Sequence, residues 1–449
     1  MNTCKEAEDY ILSIPKFAGK HTLEDTKGLL RRITGEDTAS GGGAGTENAA
    51  GSPGAFGIRS KIIHIAGTNG KGSVCAYLRS MLMAGGCSVG MFISPHLETM
   101  RERICFGNDM ISGEDFLRVF EKVRLAVSKE KFHPSFFEFL FLMAMVYFKE
   151  KKPEYVILET GMGGRLDATN CVEKPAVCVI TEIGYDHMQY LGGTISEIAG
   201  EKAGIIKKGV PVVFVDKRKE STEVLAEYAK KAESPTIIIG KESILNVNIN
   251  HKSIDFSLHS GYYSYVSLSL NTTALYQTEN AALAVAAAHA LGEERVTPEA
   301  VRRGLWEAFW PGRMEEVLPG VYLDGAHNED GMEAFLNTAG HISCEGRRLL
   351  LFGALTDKRF KAMIRMAADS ELFDEVVGTV VETERSASVR ELEEAFEGRG
   401  KMRCSFYEDA ERAYRYLLAE KKEKDVVYVA GSLYLIGQIR SLTRRMCHD

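Results

Sequence analysis

Residues 62 to 73 read Ile-Ile-His-Ile-Ala-Gly-Thr-Asn-Gly-Lys-Gly-Ser. The apolar run predicts a buried strand, and it empties into a glycine-rich turn carrying a lysine and a hydroxyl. Such a turn aims backbone N–H groups at a phosphate, and Lys71 adds positive charge. Gly67, Thr68, Asn69, Gly70, Lys71, Gly72 and Ser73 are therefore the first candidate site, with a nucleoside triphosphate as its ligand. The stretch departs from the usual phosphate-loop pattern G-x-x-x-x-G-K-[ST]: Ile65 stands five residues before Gly70, and Gly72 separates Lys71 from Ser73. Lys71 would bridge β- and γ-phosphate oxygens. Ser73 either ligates Mg²⁺ or caps the following helix.

Outward from this stretch, short apolar strands alternate with helices. Strands are expected at 61–66, 89–93, 155–159, 177–181 and 212–215, and helices at 73–84, 113–128, 136–148 and 195–207. Strands that are apolar throughout belong in a parallel sheet covered on both faces, so the alternation predicts a doubly wound α/β domain. Ligands of such sheets sit beyond the C-terminal strand ends. The glycine turn, Ser94, Glu159 and Thr181 all fall there. Residues 4–33 read as helical. The stretch 34–57, rich in Gly, Ala, Ser and Thr, has too little apolar surface to order itself and is expected to be a mobile spacer loop. Residues 242–270 suggest a small antiparallel element, followed by a helix over 279–291. Trp310-Pro311-Gly312-Arg313 breaks the pattern. It marks the expected boundary between a domain over 1–309 and a second α/β domain over 310–449, with strands at 321–323, 348–352, 375–378 and 426–430.

Several side chains at the strand ends can carry chemistry. Ser94-Pro95 reads on its own as a turn, although its hydroxyl can also serve a hard cation. Glu159 ends a buried strand, where a carboxylate is costly unless paired or metal-bound. Mg²⁺ favours oxygen ligands and keeps several waters, so one carboxylate with hydroxyls and phosphates suffices; a pairing with Arg165 is the alternative. Asp186-His187 follows the next strand, and Lys202 stands 15 positions after His187. An ammonium repels a metal cation, so Lys202 either pairs with a phosphate or carries CO₂ as a carbamate, a bidentate oxygen ligand. Asn280 can meet an adenine edge or merely pack its helix. Asp324 can accept from a ribose hydroxyl and His327 can face the reacting groups. The segments 324–328 and 431–434 can equally be plain turns.

Composition narrows the classes. A chain of 449 residues exceeds one ordinary core. A net charge of −7 argues against a general nucleic-acid binder. Nine cysteines without a C-x-x-C pair read as reduced thiols and point to the cytoplasm. Residues 1–9 are polar and lack a signal-peptide core. The longest apolar run, 139–148, is about half of a membrane span and reads as a buried helix. A monomer with no membrane partner is expected.

Taken in order, the segments 67–73 (GTNGKGS), 94–97 (SPHL), 101–104 (RERI), 136–138 (FFE), 159–170 (ETGMGGRLDATN), 186–187 (DH), 201–206 (EKAGII), 277–281 (QTENA), 310–313 (WPGR), 324–328 (DGAHN) and 431–435 (GSLYL) resemble the Mur ligase superfamily, and within it the folylpolyglutamate and dihydrofolate synthase branch. The resemblance spans nearly the whole chain. Gly72-Ser73 matches the folate branch; the cell-wall branch usually has Thr after the lysine. Two departures are Glu329-Asp330, where many relatives have Pro after the Asn, and Ala430, where Thr often precedes Gly-Ser.

The resemblance implies a P-loop-type doubly wound N-terminal domain plus a smaller Rossmann-like α/β C-terminal domain, with chemistry in the cleft. It implies that 67–73 bind ATP phosphates while Asn280, Arg313 and Asp324 hold the nucleotide. Ser94 and Glu159, with Ser73, would hold one Mg²⁺; Glu159, His187 and carbamylated Lys202 would hold a second. Phe137, Glu138, Arg165, Leu166, Asp167 and Ala168 would line the pterin side, with His327 and Ser432 near the incoming glutamate. Lys71, Lys202 and His327 are the catalytic candidates. The reaction implied is ligation of L-glutamate to a folate, or to dihydropteroate, through an acyl phosphate. Two rivals are a ligase for a UDP-sugar cell-wall precursor and a nucleotide-gated binding protein without ligation.

Overall fold

The computed structural model describes residues 3–16, 21–35, 59–250, 252–261, 263–399 and 402–448. Most of the glycine-rich stretch expected as a loop lies outside the described residues. Its first residues do not behave as a loop: Thr34 is buried and ends the helix Leu23–Thr34, and Gly35 closes that helix in the left-handed region at φ +74°. The helical stretch before it is two helices, Cys4–Ser13 and Leu23–Thr34.

The first sheet contains β1 (Lys61–Ala66), β2 (Val89–Phe92), β3 (Ile104–Phe106), β4 (Asp109–Met110), β5 (Tyr155–Glu159), β6 (Val177–Ile180), β7 (Val212–Val215) and β8 (Thr236–Ile239). Their order is β4-β3-β2-β5-β1-β6-β7-β8. From β2 to β8 all pairs are parallel, and β3 joins β2 antiparallel at the edge. Alternate β1 side chains point to opposite faces. Ile63 and Ile65 pack with the helices Lys71–Ala84 and Gln277–Leu291. Ile62 joins the core beneath Phe136–Lys151 and Gly113–Val127. The helix Phe136–Lys151 is thus buried protein interior. Among the described residues no helix is long and apolar enough to cross a membrane.

A three-stranded antiparallel sheet follows, β9 (Ile244–Ile249), β10 (Ile254–His259) and β11 (Ser264–Leu270). Phe256, Leu258 and Leu268 tuck it onto the first core. The second large sheet holds β12 (Arg313–Leu318), β13 (Val321–Asp324), β14 (Arg348–Phe352), β15 (Glu375–Thr379), β16 (Arg403–Tyr407) and β17 (Val426–Ala430), in the order β12-β13-β17-β14-β15-β16. Only β12 is antiparallel within it. Leu350 and Phe352 face one helical layer, Leu349 and Leu351 the other. The chain is a mixed α/β protein with a large, mainly parallel N-terminal sheet and a smaller C-terminal α/β unit.

Candidate active site

β1 delivers the chain into the phosphate turn, and the loop after β6 holds that turn in place. The N–H groups of Thr68 and Asn69 donate to Glu182 O at 2.7 and 3.4 Å. The Thr68 hydroxyl donates to Gly184 O at 3.2 Å and accepts from Gly184 N–H at 3.0 Å, while the Thr181 hydroxyl donates to Asn69 O at 2.6 Å. Glycine is required at two points. Gly67 has φ +147° and a Cβ there would lie 1.8 Å from Thr181 Oγ1; Gly70 has φ +88° and a Cβ would lie 2.1 Å from Asn280 Oδ1. Gly70 is the N-cap of the helix Lys71–Ala84 and offers no side-chain cap, so the first helical N–H groups are left for an anion. Ser73 sits inside the helix, which sets aside its reading as the cap; its buried hydroxyl accepts from Gln277 Nε2 at 3.1 Å. The Lys71 ammonium folds back and donates to the carbonyls of Gly67 and Thr68, both at 3.2 Å. Lys202, 3% exposed, reaches the same Gly67 carbonyl at 2.7 Å.

The neighbouring strand ends bring Ser94 and Glu159 together. In register, Glu159 lies opposite Ile65, and its Oε2 accepts the Ser94 N–H at 3.0 Å. Burial lifts the Glu159 carboxyl to about 7 against the pull of Lys71, the Ser94 N–H and Arg313. Its alternative partner Arg165 is elsewhere: the guanidinium pairs with Glu201 at 3.3 Å and donates to Gly200 O and the Tyr228 hydroxyl. His187 adopts φ +51°, and burial lowers its imidazole to about 4 despite Asp186, leaving it neutral and able to ligate a metal. Burial, reinforced by Lys71, brings Lys202 down to about 7.

Among the described residues no three His, Cys, Asp or Glu side chains cluster closely enough to hold a metal by themselves. A buried carboxylate with hydroxyls and a neutral imidazole nearby is nevertheless a donor set that suits Mg²⁺, provided phosphate oxygens complete it.

Two cavities flank this centre, both lined from the two α/β units. The first lies beside the phosphate turn and is lined by Asn69, Gly70, Ser73, Asn280, Arg313 and Asp324 among others. Asp324 is 2% exposed and already accepts from the Tyr276 hydroxyl, Met314 N–H (3.1 Å) and Ala326 N–H (2.9 Å). Asn280 Nδ2 donates to Gln277 Oε1 at 2.9 Å. A reciprocal amide pair, Asn69 with Asn328 at 3.0 and 3.3 Å, ties the turn to the second unit.

The second cavity, about 440 Å³, brings together Ser94, Phe137, Glu138, Leu166, Asp167, Ala168, His187, His327 and Ser432. Arg165, the remaining pterin-side expectation, is not on its wall. Two of the wall carboxylates also build the wall. Glu138 completes the capping box of Phe136–Lys151 with Ser135 and accepts from the Thr26 hydroxyl, with His21 Nε2 at 3.0 Å. Asp167 accepts from the N–H groups of Gly161 and Met162, both at 2.9 Å.

Comparison with known proteins fits this geometry. Residues 65–288 match the Mur ligase middle domain, and residues 312–433 match the Mur ligase glutamate ligase domain. Over 391 residues the chain is 37% identical to dihydrofolate synthase/folylpolyglutamate synthase of Bacillus subtilis, covering 85% of this chain and 90% of that protein. The chain belongs to the folylpolyglutamate synthase/dihydrofolate synthase family of Mur ligases. Escherichia coli FolC in complex with DHPP and ADP superposes with a TM-score of 0.83 at 26% identity, over 99% of both chains. Mycobacterium tuberculosis folylpolyglutamate synthase complexed with ADP gives a TM-score of 0.84 at 27% identity, over 98% of both.

In this folylpolyglutamate synthase-type chain, sequence reasoning misses the cations of the large cavity: Lys16, Arg103, Lys358 and Arg385. Arg103 lies inside a quoted motif, but nothing in the sequence aims it at the cavity. Lys358 and Arg385 stand outside every quoted motif.

Proposed function

We propose that this chain is an ATP-dependent ligase that joins L-glutamate to the γ-carboxylate of a folate glutamate, and that it can also join glutamate to dihydropteroate. The observation that carries the reading is the large cavity. It is aromatic at Phe136 and Phe137, cationic at Lys16, Arg103, Lys358 and Arg385, and bordered by Ser94, His187 and His327. Aromatic walls suit a pterin ring, and the cations suit the carboxylates of an acidic acceptor and an acidic amino acid.

In the first step an acceptor carboxylate oxygen bonds to the γ-phosphorus of ATP and the bond to the ADP oxygen breaks. Lys71 and the helix N–H groups after Gly70 offset the charge on the transferring phosphoryl oxygens. In the second step the amine of glutamate attacks the acyl carbon, phosphate leaves, and the amine gives up a proton. Ser73, Ser94 and Glu159 would hold one Mg²⁺, and Glu159, His187 and Lys202 a second. When bound, these ions neutralise charge between two anionic reactants. Only a neutral amine combines with CO₂, and Lys202 is brought into that range by burial, which supports its carbamate form. Asn280, Arg313 and Asp324 would hold the nucleotide, with Asn69–Asn328 keeping the two units together over it. The reading keeps a division of the chain near residue 310 and exclusion of water from the acyl phosphate on closure.

The test is ADP release by purified protein with ATP, Mg²⁺ and glutamate, offered dihydropteroate or tetrahydrofolate in turn. Release that depends on acceptor and glutamate together is expected; its absence with both acceptors, or turnover on a UDP-sugar acid instead, would replace the reading. Lys202→Ala is expected to abolish turnover, and near-normal activity would remove the carbamate.

A further inference from the structure

The strand that feeds the phosphate turn carries a buried histidine. His64 lies in β1, on the same face as Ile62, with no exposed surface. Its Nε2 is 2.8 Å from the hydroxyl oxygen of Thr169, which is also fully buried. That hydroxyl is 2.6 Å from Asp167 Oδ1, which accepts the Thr169 N–H as well, at 3.0 Å. Oδ2 of the same carboxylate accepts the N–H groups of Gly161 and Met162. A continuous chain of hydrogen bonds therefore runs from β1 to the turn that follows β5.

The direction of each bond in this chain can be assigned. Burial raises the Asp167 carboxyl, but the Thr169 hydroxyl and three N–H groups favour its ionised form. A carboxylate only accepts, so the Thr169 hydroxyl gives its proton to Asp167 and accepts one from His64. Nε2 is thus the protonated nitrogen. Burial holds the ring neutral, its value lowered to about 3, so Nδ1 is bare, and among the described residues it has no partner. An apolar side chain would fill this place in the strand without leaving an orphan acceptor. What the imidazole adds is the Nε2–H, and that proton goes to Thr169.

The far end of the chain is a wall of the large cavity, which Gly161, Met162, Asp167 and Ala168 all line. Asp167 is also the N-cap of the short helix Ala168–Cys171, so one carboxylate fixes both ends of this loop. The backbone at Gly161 is held so close to Phe137 that a Cβ there would lie 2.8 Å from the ring. Where this backbone sits against that ring decides the shape of the aromatic side of the cavity.

We propose that His64 is a positioning residue for the acceptor: through Thr169 and Asp167 it fixes the Gly161–Met162 wall of the large cavity against the strand that carries the phosphate turn. It touches no substrate. It acts on where the acceptor lies, and so on how the acceptor carboxylate meets the γ-phosphate. The inference rests on the ligase reading and deepens it.

The test separates the two. ADP release by the unmodified protein that depends on acceptor and glutamate reports the ligase reading alone; if there is none, that reading fails. The inference is read from variants. Thr169→Val keeps the shape and loses the hydroxyl, His64→Leu loses the donor, and His64→Gln keeps an N–H near the place of Nε2. Thr169→Val and His64→Leu are each expected to raise KM for tetrahydrofolate about threefold to tenfold, the range of one neutral hydrogen bond, with KM for ATP within about twofold. The double variant is expected to be no worse than the worse single one, because both substitutions break one chain. His64→Gln is expected to bring KM within about twofold of the unmodified protein. An unchanged tetrahydrofolate KM, a parallel rise in KM for ATP, effects that multiply in the double variant, or no rescue by His64→Gln would each overturn the proposal. A second measurement needs no turnover. In nitrogen NMR of histidine-labelled protein at neutral pH, the imidazole signal that His64→Gln removes is expected to show Nε2 protonated and Nδ1 bare. The opposite tautomer would overturn the proposal whatever the activity.

Discussion

Glu159 shows at the scale of one residue how a buried carboxylate strains the protein that carries it. Its folded value of about 7 lies above the ordinary glutamate value of 4.5, and burial is the leading cause. A folded carboxyl raised in this way holds its proton longer than the unfolded one. Stability is therefore lost as pH rises from about 4.5 to about 7, and the full penalty stands above that window. At about 1.4 kcal/mol per unit the penalty is on the order of 3 kcal/mol in metal-free protein. Glu159→Gln is thus expected to raise the Tm of chelator-treated protein at pH 8, to lose most of that gain at pH 4.5, and to abolish turnover. A lowered Tm at pH 8 would mean that the carboxylate is stabilised by something other than a bound cation. Burial strains Lys202 as well, but with the opposite pH dependence: its lowered value makes stability rise with pH from about 7 toward 10.5.

At the scale of elements, the helix Lys71–Ala84 is where local and tertiary demands meet. Glycine in a helix normally loses up to about 1 kcal/mol relative to alanine. At Gly72, however, a Cβ would lie 2.6 to 2.9 Å from three atoms of the Trp310 ring. That tryptophan leads into Pro311-Gly312-Arg313, so the glycine lets the junction between the two units rest against the phosphate turn. Gly72→Ala is expected to destabilise by about 1–3 kcal/mol in urea unfolding, as overpacking does, and to raise KM for ATP. A gain in stability would show that Trp310 moves aside freely. The same contrast explains what can be read from sequence. β5, β7 and β17 are legible to the residue because every position is buried and all but Glu159, the last of β5, are apolar. β12 and β16 are the edges of the second sheet, carry polar and exposed positions, and give no such signal. The turn at 67–73 is legible because its chemistry is local. Lys358 beside Asp186 is not, because 172 positions separate them and only folding joins them. Glu138 is legible as a motif member, but its hold on His21, 117 positions away, has no sequence pattern.

At the scale of the whole molecule, polar links join the two units across the cleft between them. Asn69–Asn328, Asp186–Lys358 and Arg218–Asp330 lie on one side. On the other, Arg440 of the helix Leu433–His448 holds both oxygens of Glu315 at 2.9 Å and pairs with Glu98, with Arg444 at 3.2 Å from the same Glu98. Glu98 follows the Ser94–Leu97 turn of the first unit, whereas Glu315 lies in β12, and its carboxylate also accepts the Gly312 N–H at 2.8 Å. Arg440, 9% exposed in its side chain, is thus the cation between two carboxylates from different units. Removing it leaves Glu98 and Glu315 without their shared cation and, among the described residues, only Arg444 still paired with Glu98. Breaking a buried pair in this way costs about 3–5 kcal/mol, and here the cost falls on closure, because opening the cleft relieves it without exposing either core. Arg440→Met is therefore expected to raise KM for ATP and for glutamate together, and to enlarge the radius of gyration of the nucleotide-bound protein in solution scattering. Its thermal unfolding should shift little by comparison. Adding Glu98→Gln removes one of the two carboxylates and should recover much of the lost affinity. If Arg440→Met leaves scattering and both KM values unchanged, the contact does not govern closure; if the second substitution makes matters worse, Glu98 is held mainly by Arg444.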